Sequence, residues 1–391
     1  MENSELLLRY GCNPHQAPAR IFSRSGKLPI TVRNGKPGYI NLLDALNSWQ
    51  LVAELRASLN LPAAASFKHV SPAGAAVGIP LTREMKKCCF VDDMELSPLA
   101  CAYARARGAD RLSSFGDWAA LSDTVDVPTA RLLKREVSDG VIAPGFEPEA
   151  LEILKAKKKG GYAVIQIDAS YRPPETEERE VFGIVFSQRR NDAQLSTAMY
   201  SRVVTEKKEF SDDAVRDLTV AQIALKYTQS NSVCFALGGQ VIGVGAGQQS
   251  RIHCTRLAAS KADRWFLRQH PRVIALPFRE GTGRPDRDNA VDQFLEENLT
   301  PAEQFVWQEN FIEQPQRLSG DEKREWLNLM QGVALASDAF FPFRDNIDRA
   351  QQSGVGFIVQ PGGSVRDDAV IEACNEYGMV MAMSGIRLFH H

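Results

Sequence analysis

The sequence predicts an α/β fold built from two related units. Short apolar, strand-like runs alternate with runs of helical spacing along its whole length. One order of segments also occurs twice. Gly116-Asp117-Trp118 leads into Ala119–Leu121, then Asp126, Thr129 and Ala130, a strand-like Gly140–Gly145 and a helix from Pro148 to Ala156. Nearer the C-terminus, Ser337-Asp338-Ala339-Phe340-Phe341 leads into Asp345, Asp348 and Ala350, a strand-like Gly356–Gly362 and a helix from Asp368 to Tyr377. At 391 residues the chain exceeds one ordinary core. The expected division is 1–160 and 200–391, with connecting strands and a polar linker over 161–199.

Composition narrows the function classes. Hydrophobic residues make up 44% and charged residues 24%, a globular balance. A net charge of -2 gives no electrostatic case for wrapping nucleic acid, while a local basic pocket for a small anion stays open. The N-terminus lacks the basic and apolar regions of a secretion signal, and no stretch of 18 apolar residues exists to span a membrane. Seven cysteines with no regular spacing argue against a disulfide framework and for a reducing, cytoplasmic setting.

The elements follow in order. Arg9, Tyr10, Asn13, His15, Gln16 and Arg20 crowd a probable loop, as a binding edge or a solvated arm would. Leu28–Val32 reads as a strand. Leu42, Leu43, Leu46, Trp49, Val52 and Leu55 give Asn41–Leu59 a helical period. Ala63–Phe67 is strand-like, and Ser71-Pro72-Ala73-Gly74 is expected to break it and open a helix. Leu96–Ala109 reads as a helix and Gly161–Ile167 as a strand. Residues 172–180 read as a polar linker, and Phe182–Phe186 as a strand before the Ser187–Asp192 loop. Asp213–Leu225 is a helix, and Tyr227–Ala236 pairs weakly with the Lys68-His69 region. Residues 240–251 run from a strand through a glycine-rich turn to Arg251, fit either for close packing or for an anion at a helix start. Val273–Gly283 reads as strand and loop, Pro285–Asn298 as a surface helix, Trp307–Arg317 as a lid or packing arm, Glu322–Leu335 as a helix and Met379–Met383 as a strand.

The chemistry centres on Ser66-Phe67-Lys68-His69-Val70-Ser71-Pro72-Ala73-Gly74. An imidazole exchanges protons near neutrality, and an adjacent ammonium holds an anion or opposes imidazole protonation. The plain alternative is a solvated strand-end lysine beside a structural histidine. Arg9, Tyr10, His15, Lys68, His69, Asn231, Arg251, Asp345 and Arg387 form the candidate set, drawn from both units. No G-x-S-x-G elbow, H-E-x-x-H or P-C-x-x-C pattern occurs, and the adjacent Cys88-Cys89 do not supply zinc-ligand spacing. Group transfer with no metal is the expectation.

Arg9-Tyr10-Gly11 with Asn13-Pro14-His15-Gln16, Ser66–Gly74, Ser187-Gln188 with Arg190-Asn191, Tyr227–Cys234, Gly245–Arg251, Ser337–Asp345 and the Arg387–His391 ending resemble the AICAR transformylase domain of the bifunctional purine-biosynthesis enzyme. The resemblance covers essentially the whole chain. It implies two tandem cytidine-deaminase-like three-layer α/β/α units with additional elements, and a homodimer with active sites at the subunit interface. It also implies transfer of formyl from 10-formyltetrahydrofolate to 5-aminoimidazole-4-carboxamide ribonucleotide (AICAR). Lys68, His69, Asn231 and His15 would serve catalysis. Phe340, Phe341, Asp345 and Arg251 would meet the folate, and Arg9, Tyr10, Arg387 and His391 the nucleotide. The family's usual cyclohydrolase domain is not matched here, so a stand-alone transferase with a separate IMP cyclohydrolase beside it is expected. A cyclohydrolase-like enzyme and a catalytically silent nucleotide or folate binder are the rival readings.

Overall fold

The computed structural model describes residues 4–24 and 26–391. The chain begins with strands β1 Glu5–Leu8, β2 Ala19–Phe22 and β3 Ile30–Asn34. It continues with α1 Tyr39–Leu59, β4 Ala63–Lys68, β5 Ser71–Val77, α2 Arg83–Cys88, α3 Pro98–Gly108, β6 Asp117–Leu121, α4 Val127–Arg135, β7 Ser138–Ala143, α5 Pro148–Lys155 and β8 Ala163–Ile167. A hairpin of β9 Thr176–Val181 and β10 Ile184–Arg189 follows. Next come α6 Asp212–Lys226, β11 Val233–Leu237, β12 Gln240–Gly245 and α7 Arg251–Leu267. An inserted helical segment holds α8 Pro271–Ile274, α9 Arg284–Leu295, α10 Pro301–Gln308 and α11 Gly320–Leu327. The chain closes with β13 Val333–Ser337, α12 Asp345–Gln351, β14 Val355–Gln360, α13 Asp367–Glu376 and β15 Val380–Met383.

Eleven strands form one sheet in the order β15-β14-β13-β11-β12-β5-β4-β6-β7-β8-β3. The order α1-β4-β5-α3-β6-α4-β7-α5-β8 recurs as α6-β11-β12-α7-β13-α12-β14-α13-β15. Each half has an antiparallel hairpin flanked by parallel strands. Side-chain alternation along the strands splits the core in two. Ala63, Ala65 and Phe67 face α1 and α6 in a core shared by both halves. Ala64 and Ala76 face α3, α4 and α5, while Phe235 and Ile242 face α7, α12 and α13. Helices therefore cover both faces of the sheet.

The halves join at one antiparallel seam, where Gln240 of β12 pairs with Ala76 of β5. Val77 N–H donates to Gly239 O at 2.9 Å. Buried Arg105 clamps the seam, donating to Gly238 O at 3.1 Å and Gln240 Oε1 at 2.8 Å on one side. On the other it donates to Ile79 O and Pro80 O, both at 2.7 Å. Asp217 of α6 accepts the N–H groups of Gly238 and Gly239 at 2.7 and 2.6 Å.

Several expected elements take another form. Ser71–Gly74 does not start a helix but continues as β5. A bulge between Ser66 and Phe67, with partners Gly74 and Pro72, accommodates the proline's missing N–H. Gly74 is needed for packing, because a Cβ there would lie 2.1 Å from Ala106 O. The polar stretch 172–180 is no linker throughout, since its end forms β9, with Phe182-Gly183 as the turn into β10. Pro271–Ile274 is a short helix where a strand was expected nearby, and Val333–Leu335 leaves the predicted helix to join β13. Trp307 is buried in the insertion's own core and donates Nε1–H to Ala290 O at 2.9 Å, so this segment packs. The pairing of Gly116–Trp118 with Ser337–Ala339 is displaced, because the first opens β6 and the second closes β13.

A buried ionic network ties the insertion to the first half. Arg111 Nε lies 2.8 Å from Asp288 of α9, and Arg107 bonds Glu136 at 3.0 Å and Asp117 at 2.8 Å. Burial alone would lift the Glu136 carboxyl, but Arg111 and Arg107 hold it below its ordinary range.

A close helix-on-hairpin contact sets a stability test. A Cβ on Gly243 would sit 2.1 Å from Ala258 O and 2.9 Å from Ala262 N. Gly243→Ala should therefore lower unfolding free energy by about 1–3 kcal/mol or more, measured by urea denaturation.

Candidate active site

Strand pairing brings the two halves' motifs to one end of the sheet. The β5–β12 seam is antiparallel, so the β4–β5 turn lies toward the same end as Gly245, the last residue of β12. Gly245 pairs with Val233, and Val233 with Ser337. Parallel pairing carries Gln360 and Met383 to that end as well. Phe67 pairs with Trp118, which adds the Phe115–Asp117 loop. Lys68 and His69 thus share a sheet end with Asn231, Asp338 and the C-terminal tail.

The Lys68-His69 turn is strained and held. Lys68 pairs with Ser71, and the two residues between them have φ of 53° at His69 and 59° at Val70. This is the backbone of a two-residue hairpin turn that glycine or asparagine ordinarily fills. A left-handed L-residue costs roughly 1–2 kcal/mol, and a β-branched valine is an outlier there. Val70 N–H donates to Asp44 Oδ1 on α1 at 2.6 Å. Lys68 Nζ donates to Phe115 O at 2.6 Å. The loop bearing Phe115 is braced by Arg107, which donates to Ser114 O at 2.6 Å. Among the described residues no carboxylate pairs with Lys68, so its charge is uncompensated and two of its three N–H donors are unspent. His69 is exposed.

Asn231 is held from behind. Its Oδ1 accepts from Arg251 Nη2 at 2.8 Å, and its Nδ2 donates to Gln248 O at 3.0 Å. Arg251 is buried at the start of α7, where it also binds Ser232 O at 2.8 Å and pairs with fully buried Asp338. Asp338 Oδ2 in turn accepts from Ser230 Oγ at 2.6 Å and from Ser232 N–H and Oγ–H, each at 3.0 Å. Arg251 is thus occupied with fixing the asparagine amide. Gly243 and Gly245 pack against α7, where a Cβ would strike Ala258 O and Cys254 O. Close packing accounts for those two glycines.

The C-terminal tail is stitched to the same loop. Leu388 N–H donates to Asp338 O at 2.8 Å, Ser230 N–H to His390 O at 3.0 Å, and His390 N–H to Ser230 Oγ at 3.1 Å. Burial lowers the His390 imidazole pKa. Exposed Arg387 lies 4.5 Å from the Phe389 ring centre, and the Phe389 and His391 rings are 5.6 Å apart. No carboxylate pairs with Arg387 among the described residues. Phe340 is 41% exposed, whereas Phe341 is 0% exposed and belongs to the core under α12. Asp345 opens α12, half-buried, and accepts from Asn346 Nδ2 at 3.0 Å.

The arm stands apart. Arg9 lies 5.9 Å over the half-buried Tyr10 ring, and His15 sits exposed in a compact loop closed by Gly11 N–H to Gln16 O at 2.8 Å. Among the described residues no hydrogen bond or ion pair joins Arg9, Tyr10 or His15 to Lys68, His69 or Asn231. A cleft of about 1020 Å³ runs along α1 between Ile21, Trp49, Glu54, Arg190 and Tyr227, and excludes Lys68, His69 and Asn231. The candidate site is the sheet end at which Lys68 and His69 of one half and Asn231 of the other lie.

Asp44 was not among the residues singled out from sequence, and Asp338 was named there only within the Ser337–Asp345 run. Asp44 falls on the inward stripe of α1 with Ser48, Leu51 and Leu55, a signal visible in the 44, 48, 51, 55 spacing. Burial raises its carboxyl pKa, opposed in part by hydrogen bonds from the Val70 and His69 backbone and by the His69 imidazole.

Residues 2–261 match the family model described as the AICARFT/IMPCHase bienzyme. The chain is 31% identical over 392 residues to the bifunctional purine biosynthesis protein PurH of Magnetococcus marinus, covering 98% of this chain and 59% of that protein. It is 31% identical over 388 residues to PurH of Roseobacter denitrificans, with the same two coverages. The architecture is that of a two-half α/β protein with its candidate site groups at one sheet end. The chain belongs to the AICARFT/IMPCHase bienzyme family. It spans 59% of the length of the curated relatives it matches. The family is that of the bienzyme as a whole, and both relatives are named bifunctional. This overturns the expectation of a stand-alone transformylase defined by lacking cyclohydrolase. The expected separate cyclohydrolase partner falls with it, since both activities belong to one family of chains. Among the described residues no helix is long and apolar enough to cross a membrane.

Removing one member of the Arg251–Asp338 pair leaves a buried, uncompensated charge. Asp338→Ala should cost roughly 3–5 kcal/mol of stability, read by chemical denaturation.

Proposed function

We propose that this chain transfers a formyl group from 10-formyltetrahydrofolate to the 5-amino group of AICAR, in purine biosynthesis. The observation that carries this reading is that Lys68 and His69 of one half lie at the same sheet end as Asn231 of the other. Family membership supports the chemistry class. We further propose that the two halves are cytidine-deaminase-like units, a reading supported by the repeated element order and the helix-covered sheet. A reducing, cytoplasmic setting fits seven free cysteines, of which Cys89, Cys101, Cys234, Cys254 and Cys374 are buried.

The amine of AICAR is a weak nucleophile, because its lone pair is delocalised into the ring and carboxamide. It attacks the formyl carbon, and the carbonyl oxygen becomes an oxyanion. His69 accepts the amine proton, working with the substrate's carboxamide, and that proton is returned to N10 of the folate as the C–N10 bond breaks. Lys68 supplies positive charge at the oxyanion and favours neutral imidazole. Its hold on a carbonyl rather than a carboxylate suits this role, since its charge is not cancelled. Asn231, fixed by Arg251 and Gln248, orients the reacting groups. Arg251 serves the folate side through that asparagine.

For the folate, Phe340 offers an exposed aromatic face and Asp345 a carboxylate for pterin N–H donors. Phe341 contributes from the core beneath them. Arg387, His391, Arg9 and Tyr10 are assigned to the nucleotide, with the unpaired Arg387 on its phosphate. His15 is assigned to the same network from the arm.

Lys68→Ala and His69→Ala should abolish formyl transfer in an assay with both substrates while leaving the thermal melt native-like. Near-parental turnover in either would remove its role. Arg387→Ala should raise the nucleotide KM far more than the folate KM, and equal effects would argue against phosphate binding.

A further inference from the structure

We propose that Asp44 is a positioning residue for His69, its carboxylate holding the left-handed His69-Val70 turn that presents the imidazole at the sheet end it shares with Asn231. The proposal rests on the formyl-transfer reading and adds a residue that neither the motifs nor the resemblance had singled out.

The turn opposes its own sequence. Neither central residue is glycine, and both take positive φ. A strained conformation of this kind persists only where its surroundings over-determine it. Three restraints do so. Lys68 and Ser71 pair across the hairpin, Lys68 Nζ is bound to Phe115 O, and Val70 N–H is bound to Asp44 Oδ1 at 2.6 Å. The first two fix the strand ends. Only the third acts on the central residues, and therefore on the backbone that carries the imidazole.

Asp44 is otherwise costly where it stands. It is 6% exposed on the inward stripe of α1, beside Ser48, Leu51 and Leu55. Among the described residues no lysine or arginine pairs with it. The groups acting on it are the Val70 and His69 N–H, the His69 imidazole and, with like charge, Asp139. A buried carboxylate satisfied by one reverse turn is an expensive way to build a helix face, but a direct way to fix that turn.

The test uses the full chain in steady-state transfer from 10-formyltetrahydrofolate to AICAR, with thermal melts of each variant. Asp44→Ala should lower kcat on the order of a hundredfold, the scale of a small misplacement of a reacting group, with the nucleotide KM unchanged. Asp44→Asn keeps an oxygen acceptor and should retain most of kcat. Val70→Gly removes the conformational penalty, so the Asp44→Ala/Val70→Gly pair should recover about tenfold of the loss. That double variant also supplies a folded form should Asp44→Ala alone not fold. An equal loss with and without Val70→Gly would overturn the proposal. So would parental turnover in Asp44→Ala while His69→Ala is inactive, which leaves the transfer reading standing. Parental turnover in His69→Ala would instead overturn the transfer reading itself, and this proposal with it.

Discussion

One antiparallel seam decides what this protein can do. Where β5 meets β12, a short stretch of backbone pairing joins two similar halves into an eleven-stranded sheet. Its direction matters more than its length. Antiparallel pairing turns one half end-for-end relative to the other. The hairpin tip of the first half therefore meets the strand entries of the second, not its equivalent tip. The second half's own hairpin tip, Gly238-Gly239, lies at the opposite end, where Asp217 and Arg105 lock it. Lys68-His69 and Asn231 are thus at inequivalent places in their halves, and duplication with inversion brings them to one sheet end.

The same device supports the site on both flanks. A buried carboxylate accepts backbone N–H groups from a segment that would not otherwise hold its shape. Asp44 does this for the His69-Val70 turn, and Asp338 for Ser230–Ser232. Asp44 sits on α1 and Asp338 directly follows β13, so each irregular segment inherits the rigidity of a helix or a strand end. Asp338 differs in being paired with Arg251, which extends the restraint to the Asn231 amide. Fixing the amide by charge-assisted bonds sets which end donates and which accepts, as an orienting residue requires.

Much of this was legible from residue pattern. The apolar period of α1, the strand-like small-residue run of β4 and the strand-glycine-helix start over 240–251 all fall where the sequence places them. Ser71–Gly74 misled, because proline and glycine ordinarily break strands. Here Pro72 sits at a bulge and Gly74 lies under Ala106 O, a tertiary demand that no local pattern reveals. The β9–β10 hairpin was half hidden, since its first strand, Thr-Glu-Glu-Arg-Glu-Val, is solvated and carries no apolar alternation. Asp44 is hidden in the sequence because a helical period is carried by apolar positions and does not mark a polar residue on the inward stripe. Motif reading grouped Arg251 with ligand-facing residues, but its neutralisation by Asp338 depends on a contact 87 positions along the chain.

The placement of positive charge separates scaffold from reactive groups. Arg105, Arg107, Arg111 and Arg251 are buried, with their donors spent on carbonyls, an amide or carboxylates. Their charge is local and structural. Among the described residues Lys68 and Arg387 differ, the first bound only to a carbonyl and the second stacked only on Phe389. A carbonyl dipole anchors an ammonium without cancelling its field, and a ring face does the same for a guanidinium. Two fixed but unneutralised cations at one sheet end, in a chain of net charge -2, form a local field for anionic groups. A phosphate-bearing nucleotide and a developing oxyanion are two such groups, and the exposed imidazole of His69 lies next to the cation assigned to the second.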